Sequence, residues 1–181
     1  MKINSTKISG LKIVDTTPFV DPRGIFARFF CNNELNEIIG ERNIMQINFS
    51  LTSKIGAIRG MHFQYEPYKE MKLIRCLKGR IWDVAVDLRK DSPTFLMWHA
   101  EELSEQNMRM MVVPEGCAHG FQVLEKNSEL LYLHTEFYNP EAYGRVSFKD
   151  PLFNIAWPIN PTEMSVPDRE QSFLPLNFQG L

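Results

Sequence analysis

The sequence predicts an all-β protein, a sandwich or a barrel, with few helices and an irregular C-terminal segment. Apolar and polar residues alternate over many short runs, and turn residues such as Lys78-Gly79 separate those runs. Only residues 33–39 have the spacing of a short helix, with Asn32 or Asn33 as its N-cap. Many short strands combined with few helices are typical of β-sandwiches and barrels.

The predicted strands span residues 26–30, 45–52, 57–63, 71–77, 80–88, 95–103, 108–113, 120–124 and 130–138. In strand 45–52 one face is polar and consists of Gln46, Asn48, Ser50 and Thr52. Strand 80–88 has one apolar face, formed by Trp82, Val84, Val86 and Leu88. Strand 130–138 has one face that carries Tyr132, His134, Glu136 and Tyr138. Polar faces that converge would line a barrel mouth, where small-molecule sites commonly lie. Alternation alone also fits faces that lie in bulk water.

Length and composition limit the class of protein. At 181 residues, with 44% hydrophobic and 23% charged residues, the chain is expected to form one domain over residues 1–181. A net charge of -2 argues against a nucleic-acid-binding protein. Residues 1–14 contain no apolar core of the length expected for a signal peptide, and no apolar run approaches the length expected for a membrane span. The cysteines, Cys31, Cys76 and Cys117, lie far apart, so we expect reduced thiols and a cytoplasmic location.

Residues 151–181 are rich in proline and aromatic residues. They carry too many large apolar groups for a disordered tail, so we expect an ordered, mostly irregular segment that lies over the barrel. Such a segment would close a site or pack against a partner subunit.

His62 and Lys72 are the leading candidates for chemistry. An imidazole titrates near pH 6.5 and can accept a proton at neutral pH, and a nearby ammonium can stabilise an enolate oxygen. A structural histidine and a solvated strand end are the competing interpretations. Arg59 and His62 have opposite parity in one strand, so both reach one pocket only if Gly60 permits a bulge.

Other residues in turns and strands are weaker candidates. Residues 114–121 form a glycine-framed turn that carries His119, and a plain hairpin turn is the alternative. Arg23 in the turn at residues 21–24 could hold a phosphate or form a surface ion pair. Tyr132 and Tyr138, taken singly, fit core aromatics with hydroxyls at a rim.

Taken together, these motifs resemble the dTDP-4-dehydrorhamnose 3,5-epimerase family of sugar-nucleotide epimerases. The matching segments run in order along the chain and are residues 21–24, 46–50, 59–64, 72–73, 82–89, 114–121, 131–138, 150–151, 155–158 and 165–168. The resemblance implies a cupin-type double-stranded β-helix, that is, a jelly-roll barrel, that works as a homodimer without a metal or other cofactor. No His-x-His motif of a metal-binding cupin occurs in the sequence.

The resemblance also implies residue roles. His62 would abstract a proton next to the 4-keto group of a nucleotide-linked 4-keto-6-deoxyhexose, with Asp168 orienting its imidazole. Lys72 would stabilise the enolate, and Tyr132 would return a proton from the opposite face. The positions that match substrate-binding residues are Arg23, Arg28, Gln46, Asn48, Arg59, His119, Tyr138 and Tyr143.

Four residues depart from the family pattern, and the mildest change is Met61, which replaces the usual leucine. Arg28 and Tyr143 stand where acidic residues are usual, and Pro167 stands where a lysine usually precedes the aspartate. The nucleotide and the sugar are therefore left open by the sequence. The alternatives are an epimerase that uses a CDP- or GDP-linked sugar or inverts one carbon, a non-catalytic sugar-nucleotide-binding cupin, and a metal-dependent cupin.

Overall fold

The computed structural model describes residues 1–181 and is mostly β-structure, with 39% of residues in strands and 7% in helices. The strands before the middle of the chain are β1 (Lys2–Ser5), β2 (Lys12–Asp15), β3 (Phe19–Asp21), β4 (Gly24–Phe26), β5 (Gln46–Thr52), β6 (Ile58–Gln64) and β7 (Lys72–Lys78). The remaining strands are β8 (Arg80–Asp87), β9 (Trp98–Ser104), β10 (Met110–Val113), β11 (Cys117–Val123), β12 (Ser128–His134) and β13 (Tyr143–Arg145). The helices are α1 (Asn32–Ile39) and α2 (Val166–Arg169). None of the helices is long and apolar enough to cross a membrane.

Two antiparallel sheets face each other and form the jelly roll expected of a cupin, which confirms the predicted fold class. One sheet has six strands in the order β1-β2-β10-β7-β12-β5, and the other has five in the order β13-β6-β11-β8-β9. Strands β3 and β4 form a separate hairpin. Sequence neighbours such as β7 and β8 lie in opposite sheets, so the chain crosses between the sheets repeatedly.

Each sheet carries apolar side chains on both of its faces. Residues of both sheets, including Ile74 and Phe121, form the core between them. The outer face of the five-stranded sheet packs against the C-terminal segment through Phe153 and Ile155. The outer face of the six-stranded sheet packs against Leu35 and Ile39 of α1. Burial of these faces, at about 25 cal/mol per Å² of apolar surface, is the main stabilising contribution.

The apolar face predicted for strand β8 lies on the outer side of its sheet. Trp82, Val84, Val86 and Leu88 pack with the C-terminal segment, whereas Ile81 and Ala85 point into the core between the sheets. The C-terminal segment is therefore ordered and lies over the barrel, as the sequence predicts, and only α2 within it is helical.

Several predicted boundaries are wrong. The strand expected at residues 26–30 ends at Phe26, because the carbonyl of Phe29 accepts a hydrogen bond from the buried Arg75 side chain instead of from a strand. The strand expected at 95–103 begins at Trp98, since Leu96 has a left-handed φ of 60°. The residue at the N-cap of α1 is Cys31, and no side chain caps this helix.

The predicted turn at residues 114–121 is shorter than expected. Strand β11 already begins at Cys117, so His119 lies on a strand and not in a turn. The strand predicted at 130–138 starts at Ser128 and leaves the sheet after His134.

A bulge at Gly60 brings Arg59 and His62 to the same side of β6. His119 pairs with His62 and Phe121 with Arg59, so two residues of β6 lie opposite the single Gly120 of β11. Gly60 has a φ of 125°, and a Cβ there would lie 2.5 Å from the Cα of Gly120. The bulge therefore depends on glycine at position 60.

Gly60→Ala should destabilise the protein by about 3 kcal/mol, because it combines an unfavourable φ with a backbone clash. Gly24→Ala is the matched control, since Gly24 has a φ of 129° and a Cβ added there would have no other atom within 4 Å. The control should cost about 1 kcal/mol. Urea unfolding of both variants measures the difference, and equal losses would show that the close approach to Gly120 contributes nothing.

Candidate active site

A cavity of about 900 Å³ lies between the two sheets and is lined by inward-facing residues of both. Ten of the twelve residues that the sequence nominated line it: Gln46, Asn48, Arg59, His62, Lys72, His119, Tyr132, Tyr138, Tyr143 and Asp168. The even residues of β5 and the Tyr132 face of β12 therefore converge, and the alternative that these faces lie in bulk water is wrong for them.

His62 and Asp168 form a hydrogen-bonded pair across 106 residues of sequence, with 2.7 Å between Nε2 and Oδ1. His62 projects from β6 after the bulge, and Asp168 lies on α2, whose N-cap residue Ser165 accepts a hydrogen bond from the Asp168 backbone N–H. The N–H of Gly60 donates to the other carboxylate oxygen at 3.4 Å.

The electrostatics of this pair favour a neutral, basic imidazole. Burial lowers the pKa of His62 and outweighs the opposing hydrogen bond to Asp168, while the Lys72 charge lowers it further. Burial opposes ionisation of Asp168, but the hydrogen bond and charge of His62 and the hydrogen bonds from Gly60 and Ser165 together outweigh it and lower the pKa of the carboxyl. Asp168 is thus an acceptor, Nε2 carries the imidazole proton, and Nδ1 keeps a free lone pair.

Lys72 is a buried cation held beside His62. Its Nζ lies 3.2 Å from Oε1 of Glu70 and donates to the His62 carbonyl oxygen at 3.2 Å. The other oxygen of Glu70 lies 2.6 Å from Nδ1 of His134. Burial opposes ionisation of Glu70, but the His134 hydrogen bond and the Lys72 charge outweigh it and lower its pKa. Each polar group in this series of contacts, from the His62 carbonyl through Lys72 and Glu70 to His134, therefore has a partner that fixes its position.

Tyr132 approaches the cavity from the six-stranded sheet, whereas His62 belongs to the five-stranded sheet. Its hydroxyl lies 3.0 Å from Oγ of Ser50 on the neighbouring β5, and its ring packs against the core between the sheets. Burial raises the pKa of Tyr132 well above its usual value of 10.0, so the phenol keeps its proton at neutral pH.

His119 faces the cavity from β11, and Asp83 on the neighbouring strand β8 fixes the position of its ring. Its Nε2 lies 2.7 Å from Oδ1 of Asp83, a carboxyl with no solvent exposure. Burial raises the pKa of Asp83. The ring of His119 meets the ring of Tyr132 edge to face, with 6.4 Å between centres.

The remaining polar ligand candidates lie at the rim. Arg59 donates from Nε to the Thr52 hydroxyl at 2.9 Å. Gln46 donates to the Asn48 side chain at 3.1 Å and accepts from the Tyr138 backbone N–H at 3.1 Å. Tyr138 is 55% exposed, which leaves its ring available for stacking.

The structure does not bring Arg23 and Arg28 to the cavity of their own chain. Arg23 sits at the tip of the β3–β4 hairpin with 90% of its side chain exposed, and it pairs with Asp21. Arg28 pairs with Glu34 of α1. The hairpin projects from the barrel and pairs with neither sheet, which is why its turn residues are remote from His62.

Sequence reasoning missed cavity residues with clear contacts, notably Glu70 and Arg145. Arg145 follows Tyr143 by two residues on β13, so strand alternation would have placed it on the same face once Tyr143 was nominated. Glu70 precedes β7 and carries no pattern of its own. No group of three or more His, Cys, Asp or Glu side chains is arranged to hold a metal ion.

Comparisons with known proteins identify the family of this chain. A family model described as dTDP-4-dehydrorhamnose 3,5-epimerase matches residues 5–175. The dTDP-4-dehydrorhamnose 3,5-epimerase of Shigella flexneri is 40% identical over 163 residues, which cover 89% of this chain and 90% of that protein.

Solved structures with the same fold include two that contain ligands. The dTDP-4-dehydrorhamnose 3,5-epimerase of Bacillus anthracis, with TDP and PPi bound, superposes with a TM-score of 0.91 at 36% identity and covers 96% of this chain and 99% of that one. The dTDP-6-deoxy-D-glucose-3,5-epimerase of Legionella pneumophila, in complex with dTDP-4-keto-L-rhamnose, gives 0.87 at 37% identity over 92% and 89%. This chain belongs to the dTDP-4-dehydrorhamnose 3,5-epimerase family.

Proposed function

We propose that this protein is an isomerase that epimerises a dTDP-linked 4-keto-6-deoxyhexose at C3, at C5 or at both. The observation that carries the proposal is the His62–Asp168 pair, which shares one cavity with Lys72 and with Tyr132 of the facing sheet. Relatives that match nearly the whole chain carry this activity in their names, and one of them holds dTDP-4-keto-L-rhamnose.

The proposed reaction proceeds through an enolate. The ketone at C4 acidifies the neighbouring C–H bond, and Nδ1 of His62 takes that proton while the bonding electrons move to O4. The ammonium of Lys72 stabilises the oxygen anion. Tyr132 then donates its phenolic proton to the other face of the carbon, which inverts the centre. Protonated His62 and the Tyr132 phenolate return to their starting states by proton exchange with water.

The nucleotide is held by the rim of the cavity in this proposal. Arg59 supplies a guanidinium fork for the diphosphate, and His119 lies on the same wall. Tyr138 and Tyr143 meet edge to face with 5.4 Å between ring centres and offer an aromatic surface for the base. Gln46 and Asn48 supply amide donors and acceptors beside them.

We also propose that the chain acts as a single domain and forms a homodimer. Two exposed apolar surfaces support the dimer. The surface on the hairpin consists of Phe19, Val20, Ile25 and Phe26. The surface on the outer face of β5 consists of Ile47, Phe49 and Leu51. Exposed apolar patches of several large side chains commonly mark protein–protein interfaces. An exchanged hairpin would carry Arg23 of each subunit toward its partner. The cytoplasmic location remains a prediction from the sequence.

His62→Ala should lower hydrogen exchange at C3 and C5 by about 1,000-fold, because the general base is lost. The measurement is proton NMR of dTDP-4-keto-6-deoxyglucose in D₂O, which reports the two carbons separately. Binding of dTDP should change little. His99→Gln is the control, since His99 lies on β9 outside the cavity. Undiminished exchange in His62→Ala, or exchange only with CDP- or GDP-linked sugars, would contradict the proposal.

Tyr132→Phe should separate hydrogen exchange with the solvent from inversion of the sugar carbon. His62 can still remove a proton and return deuterium to the same face, so deuterium uptake should stay within about tenfold of the wild-type rate. Formation of the inverted sugar should fall by about 100-fold or more. A parallel NMR assay of uptake and of product configuration tests this. Equal losses of both would argue that Tyr132 does not supply the second proton.

The pH profile of kcat/KM should show an acidic limb below pH 6.5. Burial lowers the pKa of His62 from its usual value of 6.5, and the protonated imidazole cannot accept a proton. Tyr132 should add no basic limb below pH 10, because burial raises its pKa above 10.0. Initial rates between pH 5 and 10 measure both limbs, and full activity well below the His62 pKa would exclude His62 as the base.

A further inference from the structure

Strand β13 places an arginine directly opposite the candidate base. Arg145 pairs with His62 in the antiparallel register between β13 and β6. Directly paired residues of neighbouring strands project to the same face of the sheet. Both side chains accordingly line the cavity. Arg145 has no role in the mechanism proposed above.

The Arg145 side chain contacts the same carboxylate oxygen that binds His62. Its Nε lies 3.5 Å from Oδ1 of Asp168, and Nε2 of His62 lies 2.7 Å from that oxygen. The guanidinium carbon lies 4.6 Å from the centre of the Tyr143 ring. That ring in turn lies 5.3 Å from the His62 ring, measured between centres. Asp168 and Tyr143 thus both contact the Arg145 side chain, and no hydrogen bond forms at its Nε.

We propose that Arg145 is a positioning residue that shares the Asp168 carboxylate with His62 and lowers the proton affinity of the imidazole. This inference rests on the proposed function, in which His62 must be neutral to act as a base. A carboxylate that also faces a guanidinium stabilises an imidazolium less than an unshared carboxylate does. The cation itself also repels the charge that protonation would place on His62.

The other charged and titratable groups around His62 each contact a partner. They come from four further elements: Glu70 and Lys72 at β7, His119 on β11, Tyr143 on β13 and Asp168 on α2. Glu70 lies 3.2 Å from Lys72 and offsets its charge. Asp168 is the acidic partner of both His62 and Arg145. Removing the guanidinium therefore leaves His62 as the only basic side chain within 4.0 Å of the Asp168 carboxylate.

Arg145→Gln tests the inference through the pKa of His62 in the free protein. Titration of the His62 ring protons by NMR should give a pKa about 0.5 to 1 unit higher than in the wild type. The acidic limb of kcat/KM should move to higher pH by the same amount. Arg145→Lys keeps the charge and should restore most of the wild-type profile.

Arg169→Gln is the matched control. Arg169 follows Asp168 in sequence and carries the same charge, but 62% of its side chain is exposed and its partner is Glu170. This control should leave the His62 pKa and the pH profile unchanged. Arg145→Met, which is neutral and similar in length, repeats the test if Arg145→Gln does not fold by circular dichroism.

The two proposals fail in different ways. An unchanged His62 pKa in a folded, neutral Arg145 variant overturns the inference, even if the wild-type protein epimerises the dTDP-linked sugar. A raised His62 pKa in a protein that is inert toward nucleotide-linked ketosugars supports the inference and overturns the proposed function. A shift of the same size in Arg169→Gln would show a long-range charge effect and would overturn the assignment to Arg145.

Discussion

The hydrogen bond between His62 and Asp168 ties the C-terminal segment to the middle of the barrel. Neither residue has a useful position alone: His62 needs the bulge at Gly60 to turn into the cavity, and Asp168 needs the Ser165 cap to hold α2 in place. The apolar packing of Phe153 and Ile155 on the five-stranded sheet fixes the approach of that segment. The chemistry of the cavity therefore depends on the irregular part of the chain as much as on the strands.

Alternation in the sequence was sufficient to predict a sandwich or a barrel, because every second residue of a strand lies on the same face. The cupin-type barrel itself came from the family resemblance. Alternation gave wrong strand boundaries where contacts distant in sequence determine the backbone conformation. The apolar residues near Phe26 suggest a strand that continues to residue 30, yet the backbone there is bound by Arg75, a residue distant in sequence. Leu96 adopts a left-handed φ, which is unusual for leucine and which the sequence alone does not predict. Such boundaries depend on tertiary contacts that a local pattern cannot contain.

The site was predicted to a different extent from the fold. Spacing within the chain could nominate His62 and Lys72, but the partner of each, Asp168 and Glu70, lies on a loop or a short helix without periodicity. The Asp168 assignment came from family resemblance and not from pattern. Arg23 and Arg28 illustrate the opposite limit, since resemblance nominated both while the hairpin and α1 hold them away from their own cavity.

Charge pairing within the cavity explains where a diphosphate would bind. Three cations and three anions line it: Arg59, Lys72, Arg145, Glu70, Glu163 and Asp168. Lys72 is offset by Glu70 and Arg145 by Asp168, while Glu163 pairs with Lys54. Arg59 binds only the neutral Thr52 hydroxyl and the Leu51 carbonyl. Because an anionic ligand gains most from a cation whose charge is not already compensated, the proposed function places the phosphates at Arg59 and the ketosugar between Lys72 and the His62 ring.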